Sequence, residues 1–295
     1  MRTVLKVLLV CALVGAGLAW ILTRPAALDE GYAAGHQPDV DAGKKVFVAA
    51  GCASCHAAPE ASGEEKLVLA GGYAFASPYG TFYAPNISPS DAGIGGWSLP
   101  EFARAVTQGV SPEGQHYYPA FPYTSYIRMR PQDVSDLHAY MRTLPTSDTP
   151  SKAHEIGFPY NIRRTLGGWK LLYLRDDDML ADPLSEELER GRYLVEALAH
   201  CAECHTPRDA LGGLQRARWM AGAPNPSGKG QIPNITPAKL DWSESDLVYY
   251  FESGFTPDYD SVGGSMAAVV TNLSKLTEAD RIAIARYLKA IPPAE

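Results

Sequence analysis

The apolar positions of this chain form one long run followed by short groups at helical spacing. The run extends from Val7 to Leu22, with Arg2 and Lys6 before it and Arg24 after it. Its 16 residues approach the ~20 that a bilayer-spanning helix needs, and reach about 19 if Val4 and Leu5 join and Lys6 snorkels. Positive charge followed by such a run marks export. Small-x-small cleavage sites occur at Gly17-Leu18-Ala19 and Pro25-Ala26-Ala27, but neither is a clean A-x-A. Residues 1–24 therefore read as a membrane anchor or signal peptide, with an uncleaved anchor preferred. Either way the body crosses the membrane.

Residues 25–38, rich in Ala, Gly and Pro, read as a tether. Val46, Phe47 and Ala50 predict a short helix over Asp41–Ala50. From about Pro183, Leu184, Leu188, Val195 and Leu198 stand at i, i+4, i+11 and i+14, one face of a second helix. These helices open two copies of one pattern. Ala84-Pro85-Asn86-Ile87-Ser88-Pro89 matches Ile232-Pro233-Asn234-Ile235-Thr236-Pro237, and Trp97-Ser98 matches Trp242-Ser243. Ser98 with Glu101 and Ser243 with Asp246 predict capping boxes, and Gly109 and Gly254 predict helix C-caps. The closing helices align Asp133–Pro145 with Asp280–Pro292. Gly43 and Gly191, near the start of each copy, suit a close helix crossing. No period-2 strand pattern stands out. The expected fold is all-α: two tandem domains, 39–147 and 183–295, behind the anchor and tether. The linker 148–182 should hold a basic-apolar helix within Asn161–Arg175 that packs through Trp169 and Leu172.

Each predicted first helix runs into C-x-x-C-H: Cys52-Ala53-Ser54-Cys55-His56 and Cys201-Ala202-Glu203-Cys204-His205. Composition alone predicts on the order of 0.002 such matches per chain. The pattern is that of covalent c-type haem attachment, the thiols bonding the vinyl groups and the adjacent His ligating the iron. Zinc suits paired thiols but does not require a His after each pair. Two covalent haem c groups are therefore expected on Cys52, Cys55, Cys201 and Cys204, with His56 and His205 as axial ligands. The fifth cysteine, Cys11, lies in the apolar run, so no disulfide framework remains.

An electron-transfer haem of this type usually carries Met opposite His. In the second copy Met266, after Gly263-Gly264, is the candidate. It lies 24 residues after Trp242, in a gapless match with the first copy; the residue 24 after Trp97 is Phe121, which cannot coordinate iron. The first haem's sixth position stays open among no protein ligand, Met129, and another donor such as His116, Tyr117, Tyr118 or Tyr123. Met129 itself aligns with Leu276, a packing position.

Without residues 1–24 the chain holds 23 basic and 33 acidic residues, a net charge of −10. This argues against nucleic acid and suits redox partners with basic patches.

On Gly95-Gly96-Trp97-Ser98, Gly109 to Gly114, Tyr118 to Tyr123, Cys201 to Arg208 and Gly263 to Met266, the chain resembles the c-type cytochrome subunits of bacterial membrane-bound alcohol, gluconate and related dehydrogenases. The resemblance implies helical class I cytochrome c domains on the periplasmic side of the inner membrane. It also implies electron transfer from a dehydrogenase toward ubiquinone or a terminal oxidase, and the expected partners are a dehydrogenase as donor and an oxidase or another cytochrome of the respiratory chain as acceptor. Those subunits commonly have three haem motifs, and this chain has two. The expected function is a dihaem electron carrier rather than an enzyme. The alternative is a haem enzyme with an open catalytic iron at the first haem, of peroxidase or thiosulfate-oxidising type.

Overall fold

In the computed structural model, which describes residues 1–295 except 26, 29, 30, 182, 183, 227 and 229, the apolar run is one helix, α1 (Arg2–Leu22), with no buried side chain. It is long and apolar enough to cross a membrane. Its C-terminal end is held against the body. The Thr23 carbonyl accepts from His116 Nε2 at 2.9 Å, and Arg164 lies over the Trp20 ring at 4.1 Å. A Cβ on Gly167 would lie 2.2 Å from the Thr23 oxygen.

Residues 25–38 do not behave as a free tether where they are described. Leu28 and Tyr32 pack on the core, and His36 Nε2 lies 2.6 Å from Asp136 Oδ1. The cause is Asp136, only 4% exposed. A buried carboxylate must be hydrogen-bonded, and it takes both His36 and the Asp39 N–H.

The first copy is built from α2 (Val40–Ala49), α3 (Cys52–His56), α4 (Leu99–Gln108), α5 (Tyr123–Tyr126) and α6 (Pro131–Met141). Asp39 caps α2, and the Ser98–Glu101 capping box opens α4. Gly109, at φ +61°, closes α4 in the left-handed region where glycine carries no Cβ penalty. After the linker helix α7 (Thr165–Tyr173), the second copy repeats the scheme. α8 (Glu186–Arg192) runs into a π-helical turn over Tyr193–Leu198, followed by α9 (Ala202–His205), α10 (Glu244–Ser253), α11 (Met266–Leu273) and α12 (Glu278–Ala290). The predicted Ser243–Asp246 box and the Gly254 cap are both present. The domain boundary expected at 182–183 lies outside the described residues.

In each copy the first and last helices cross at a glycine. A Cβ on Gly43 would lie 2.0 Å from the Asp136 carbonyl oxygen of α6, and one on Gly191 would lie 2.1 Å from that of Ala283 in α12. One hydrophobic cluster continues through both copies.

The strands are short. β1 (Ala74–Ser77), β2 (Gly80–Tyr83) and β3 (Glu155–Ile156) make one antiparallel sheet, and β4 (Ala223–Pro224) pairs with β5 (Gln231–Ile232). They decorate a mostly helical fold. The linker helix does bridge the copies, but not through Leu172, which is 58% exposed. Trp169 Nε1 donates to the Leu211 carbonyl at 3.0 Å. Lys170, beside it, is buried with its Nζ on the Gln108 and Gly109 carbonyls at 2.6 and 2.7 Å. It thereby caps the C-terminus of α4, where a cation is favoured.

Candidate functional site

α3 and α9 are single helical turns. Residues at i, i+3 and i+4 share a face of such a turn, so each, counting Cys201 at the N-cap of α9, presents two thiols and an imidazole on one side. Each is entered through a left-handed residue, Gly51 at φ +65° and His200 at φ +44°. The imidazoles are held alike. His56 Nδ1 donates to the Pro85 carbonyl at 2.9 Å, and His205 Nδ1 to the Pro233 carbonyl at 2.8 Å. A carbonyl can only accept, so Nδ1 carries the proton and the Nε2 lone pair is free for a metal. Burial holds both rings below the usual imidazole pKa, which keeps them neutral.

The prolines are themselves positioned. Asn86 Nδ2 donates to the Ser147 and Thr149 carbonyls, both at 2.8 Å, and Asn234 Nδ2 to the Ala294 carbonyl at 2.7 Å. Each pins the loop that holds its His to the chain beyond the closing helix. Pro85, Pro233, Asn86 and Asn234 were visible in the sequence only as a matched hexapeptide, and their role needed the structure.

The donor set fits haem better than zinc. Among the described residues no three His, Cys, Asp or Glu side chains gather as a metal cluster. Burial pushes the thiols of Cys52 and Cys201 up to about 12 and that of Cys55 up to about 11. Zinc would require thiolates. A thioether to a haem vinyl group requires no such charge.

The two attachment segments face each other. Cys204 is close enough for its charge to add to the rise at Cys55. Ser54 Oγ accepts from Asn272 Nδ2 at 2.9 Å. Glu203, inside the second motif, accepts from the Thr124 and Ser125 hydroxyls of α5, the latter at 3.4 Å. Tyr126 donates to the Ala50 carbonyl at 3.2 Å, and its ring lies 5.6 Å from that of His200.

The family model for cytochrome c matches residues 40–145 and 188–292, most of the chain. The chain belongs to the cytochrome c family. It is 55% identical to a "Diheme cytochrome c-type" protein of Cereibacter sphaeroides over 95% of each chain. It is 38% identical to the fructose dehydrogenase cytochrome subunit of Gluconobacter japonicus over 88% of this chain and 54% of that one. To the cytochrome c subunit of the quinone alcohol dehydrogenase of Gluconacetobacter polyoxogenes it is 35% identical, over 89% and 59%. Relative to the two dehydrogenase subunits, then, this cytochrome spans a little over half their length. Its two domains and these relatives together give two covalently bound haem c groups.

On the side away from His56 and His205 the copies of this cytochrome part. From Gly109 and from Gly254 the main chains hydrogen-bond identically. Tyr117 N–H reaches the Gly109 carbonyl at 2.7 Å, and Val262 N–H the Gly254 carbonyl at 2.8 Å. Ser111 to Gln115 and Thr256 to Asp260 match likewise, both at 2.9 Å. Carried forward at the same spacing, Phe121 occupies the place of Met266. Met266 is the first residue of α11, half-buried behind Gly264 at φ +59°. Phe121 is ringed by Tyr117, Tyr123 and Tyr126 at 6.2, 6.3 and 5.9 Å.

The other sequence candidates are placed as follows. Met129 is 4% exposed, in the core at the foot of α6, as its counterpart Leu276 is at the foot of α12. Both ring nitrogens of His116 are engaged, Nε2 with Thr23 and Nδ1 with Lys170 Nζ at 3.1 Å. Tyr118 donates to the Tyr160 carbonyl at 3.0 Å and Tyr123 to the Tyr117 carbonyl at 3.2 Å. Burial pushes Tyr117 up to about 12, away from the phenolate that iron would take.

Proposed function

We propose that this dihaem cytochrome is an electron relay held on the periplasmic side of the inner membrane by α1. It takes electrons from a dehydrogenase and passes them toward the respiratory chain through an oxidase or another cytochrome. Cys52, Cys55, Cys201 and Cys204 are the attachment residues, His56 and His205 the proximal ligands, and Met266 the sixth ligand of the second haem. When bound, each haem supplies a one-electron couple.

The observation that carries this reading is the approach of the two C-x-x-C-H turns, each held by a helix of the other copy, Ser54 by Asn272 of α11 and Glu203 by Thr124 of α5. A relay needs its redox centres close together, and these contacts support that reading by holding the two turns near each other. A dehydrogenase partner is supported by the relatives that are dehydrogenase cytochrome subunits. The membrane is supported by α1, whose N-terminal side carries Arg2 and Lys6 and no acid, as the inside end of an anchor should.

Stopped-flow reduction of the full-length protein by a small donor tests the relay. The expected result is fast redistribution of electrons between two spectrally resolved haems. Haems that reduce independently, or turnover of peroxide or thiosulfate above that of a simple cytochrome, would reject it. Fractionation with and without residues 1–24 tests the anchor, which predicts release of the body on removal.

A further inference from the structure

We propose that the first haem site of this chain supplies no side-chain sixth ligand, and that the aromatic cage at Phe121 makes it a binding site for a small uncharged diatomic molecule such as carbon monoxide or nitric oxide. The inference rests on Met266 being the ligand at the second site, because Phe121 is assigned its place by the internal repeat.

Three observations carry it. The backbones are hydrogen-bonded alike as far as Tyr117 and Val262, and four residues on, at the same spacing, Phe121 falls at the position of Met266. A phenyl ring has no lone pair to give. Next, most of the nearby donors are committed elsewhere, and burial keeps the Tyr117 hydroxyl protonated. His116 spends both nitrogens on the end of α1 and on Lys170, and the hydroxyls of Tyr118, Tyr123 and Tyr126 all donate to main-chain carbonyls. His138 Nε2 is buried without a partner, but it belongs to α6, at the position of Ala285 in the other copy, with its ring 4.9 Å from that of Phe102. Met129 sits at a position the second copy fills with Leu276, where packing is the requirement.

The third observation sets the chemistry of the guest. The cage is four aromatic rings, Phe121, Tyr117, Tyr123 and Tyr126. Two cations lie behind it, Lys170 over the Tyr123 ring at 4.7 Å and Arg163 over that of Tyr118 at 4.8 Å. Both are hydrogen-bonded to main-chain carbonyls. Neither of these two cations is therefore free for an anion. The Glu203 carboxylate beside Tyr123 and Tyr126 is engaged by the Thr124 and Ser125 hydroxyls and by Arg208, so it is not free to move a proton, as peroxide cleavage would require. An apolar guest that needs neither charge nor proton transfer fits.

The test is carbon monoxide uptake by the dithionite-reduced full-length protein, in preparations whose intact mass confirms two haems. Wild type should take up one molecule per chain, with half of the haem absorbance shifting. Phe121→Met should take up none, and Phe121→Leu should keep one. Met266→Leu should take up two. No uptake by wild type, or uptake that appears only in Met129→Leu or His138→Gln, overturns the proposal and names the ligand. Two molecules per wild-type chain would instead remove Met266 from the second iron, and the repeat argument with it.

Discussion

The two copies agree on the His side of each haem site and differ on the other. On the His side every device is duplicated: the left-handed entry residue, the turn with two thiols, the proline carbonyl on Nδ1, and the asparagine that pins the proline. On the far side the second copy spends eight residues on α11, opening with Met266, and the first spends four on α5. The shorter helix has other work. Thr124 and Ser125 hold Glu203 of the second motif, and Tyr126 holds the chain just before the first motif at Ala50. Attachment tolerates one geometry and is conserved between the copies. The sixth position tolerates many, and in the first copy its loop serves the contact between domains.

The strongest test of that duplication is to break each attachment separately. Cys52→Ser or Cys55→Ser should leave a protein with its second haem intact, and Cys201→Ser or Cys204→Ser should leave the first. Intact mass and acid-acetone extraction read the outcome. If either substitution removed both haems, the copies would be one cooperative unit and not two modules.

A smaller but still large effect is expected at the helix crossings. Gly43→Ala and Gly191→Ala each force a methyl group against a carbonyl oxygen 2.0 and 2.1 Å away. Each should cost about 2–3 kcal/mol, the upper range for overpacking, measured by denaturant unfolding of the holo protein. Similar losses sustain the equivalence of the copies. A tolerated substitution at one glycine would end it.

Those glycines were legible in the chain because a matched spacing before each motif already suggested a crossing. The capping boxes at Ser98 and Ser243 and the caps at Gly109 and Gly254 were legible for the same reason: local chemistry at a local position. What escaped depends on partners far along the chain. β2 pairs with β3, 75 residues on, and strands of two to four residues leave too little alternation to read. The docking of His36 depends on Asp136, 100 residues away. Leu172 looked like the packing residue of the linker helix, yet Lys170 is the buried one. The carbonyls it satisfies end a helix 60 residues earlier. At the first haem the sequence could only offer a group of donors. The structure engages most of them with other partners.

Lys170 also separates the copies, since it caps α4, and among the described residues no lysine is bonded to the Gly254 cap of α10. Burial pushes its ammonium down to about 7, while the two carbonyls and the C-terminal end of α4 favour the charged form. With the folded pKa below the unfolded value of about 10.4, the unfolded chain binds the extra proton between those limits. Stability should therefore rise with pH from about 7 to about 10, by on the order of 1 kcal/mol once the carbonyls are allowed for. Lys170→Met should lack that rise when urea midpoints are compared across the range. An equal rise in the variant would assign it to another group.

The smallest effect belongs to the contact that joins the sites. Asn272 lies in α11, whose counterpart in the first copy is the four-residue α5, and its amide reaches Ser54 between the thiols of the first motif at 2.9 Å. The pair is exposed, so water can replace it, and Asn272→Ala should cost about 0.5–1 kcal/mol or less. That loss should fall on the approach of the domains and leave the fold of each domain unchanged. Haem content, the spectrum of each haem and the unfolding midpoint should stay near wild type, while electron redistribution between the haems slows. The decision lies in that split. A slower exchange at unchanged stability makes the hydrogen bond part of the relay geometry. Unchanged exchange would leave Glu203, held by Thr124 and Ser125 on the other side of the same contact, to set the approach alone.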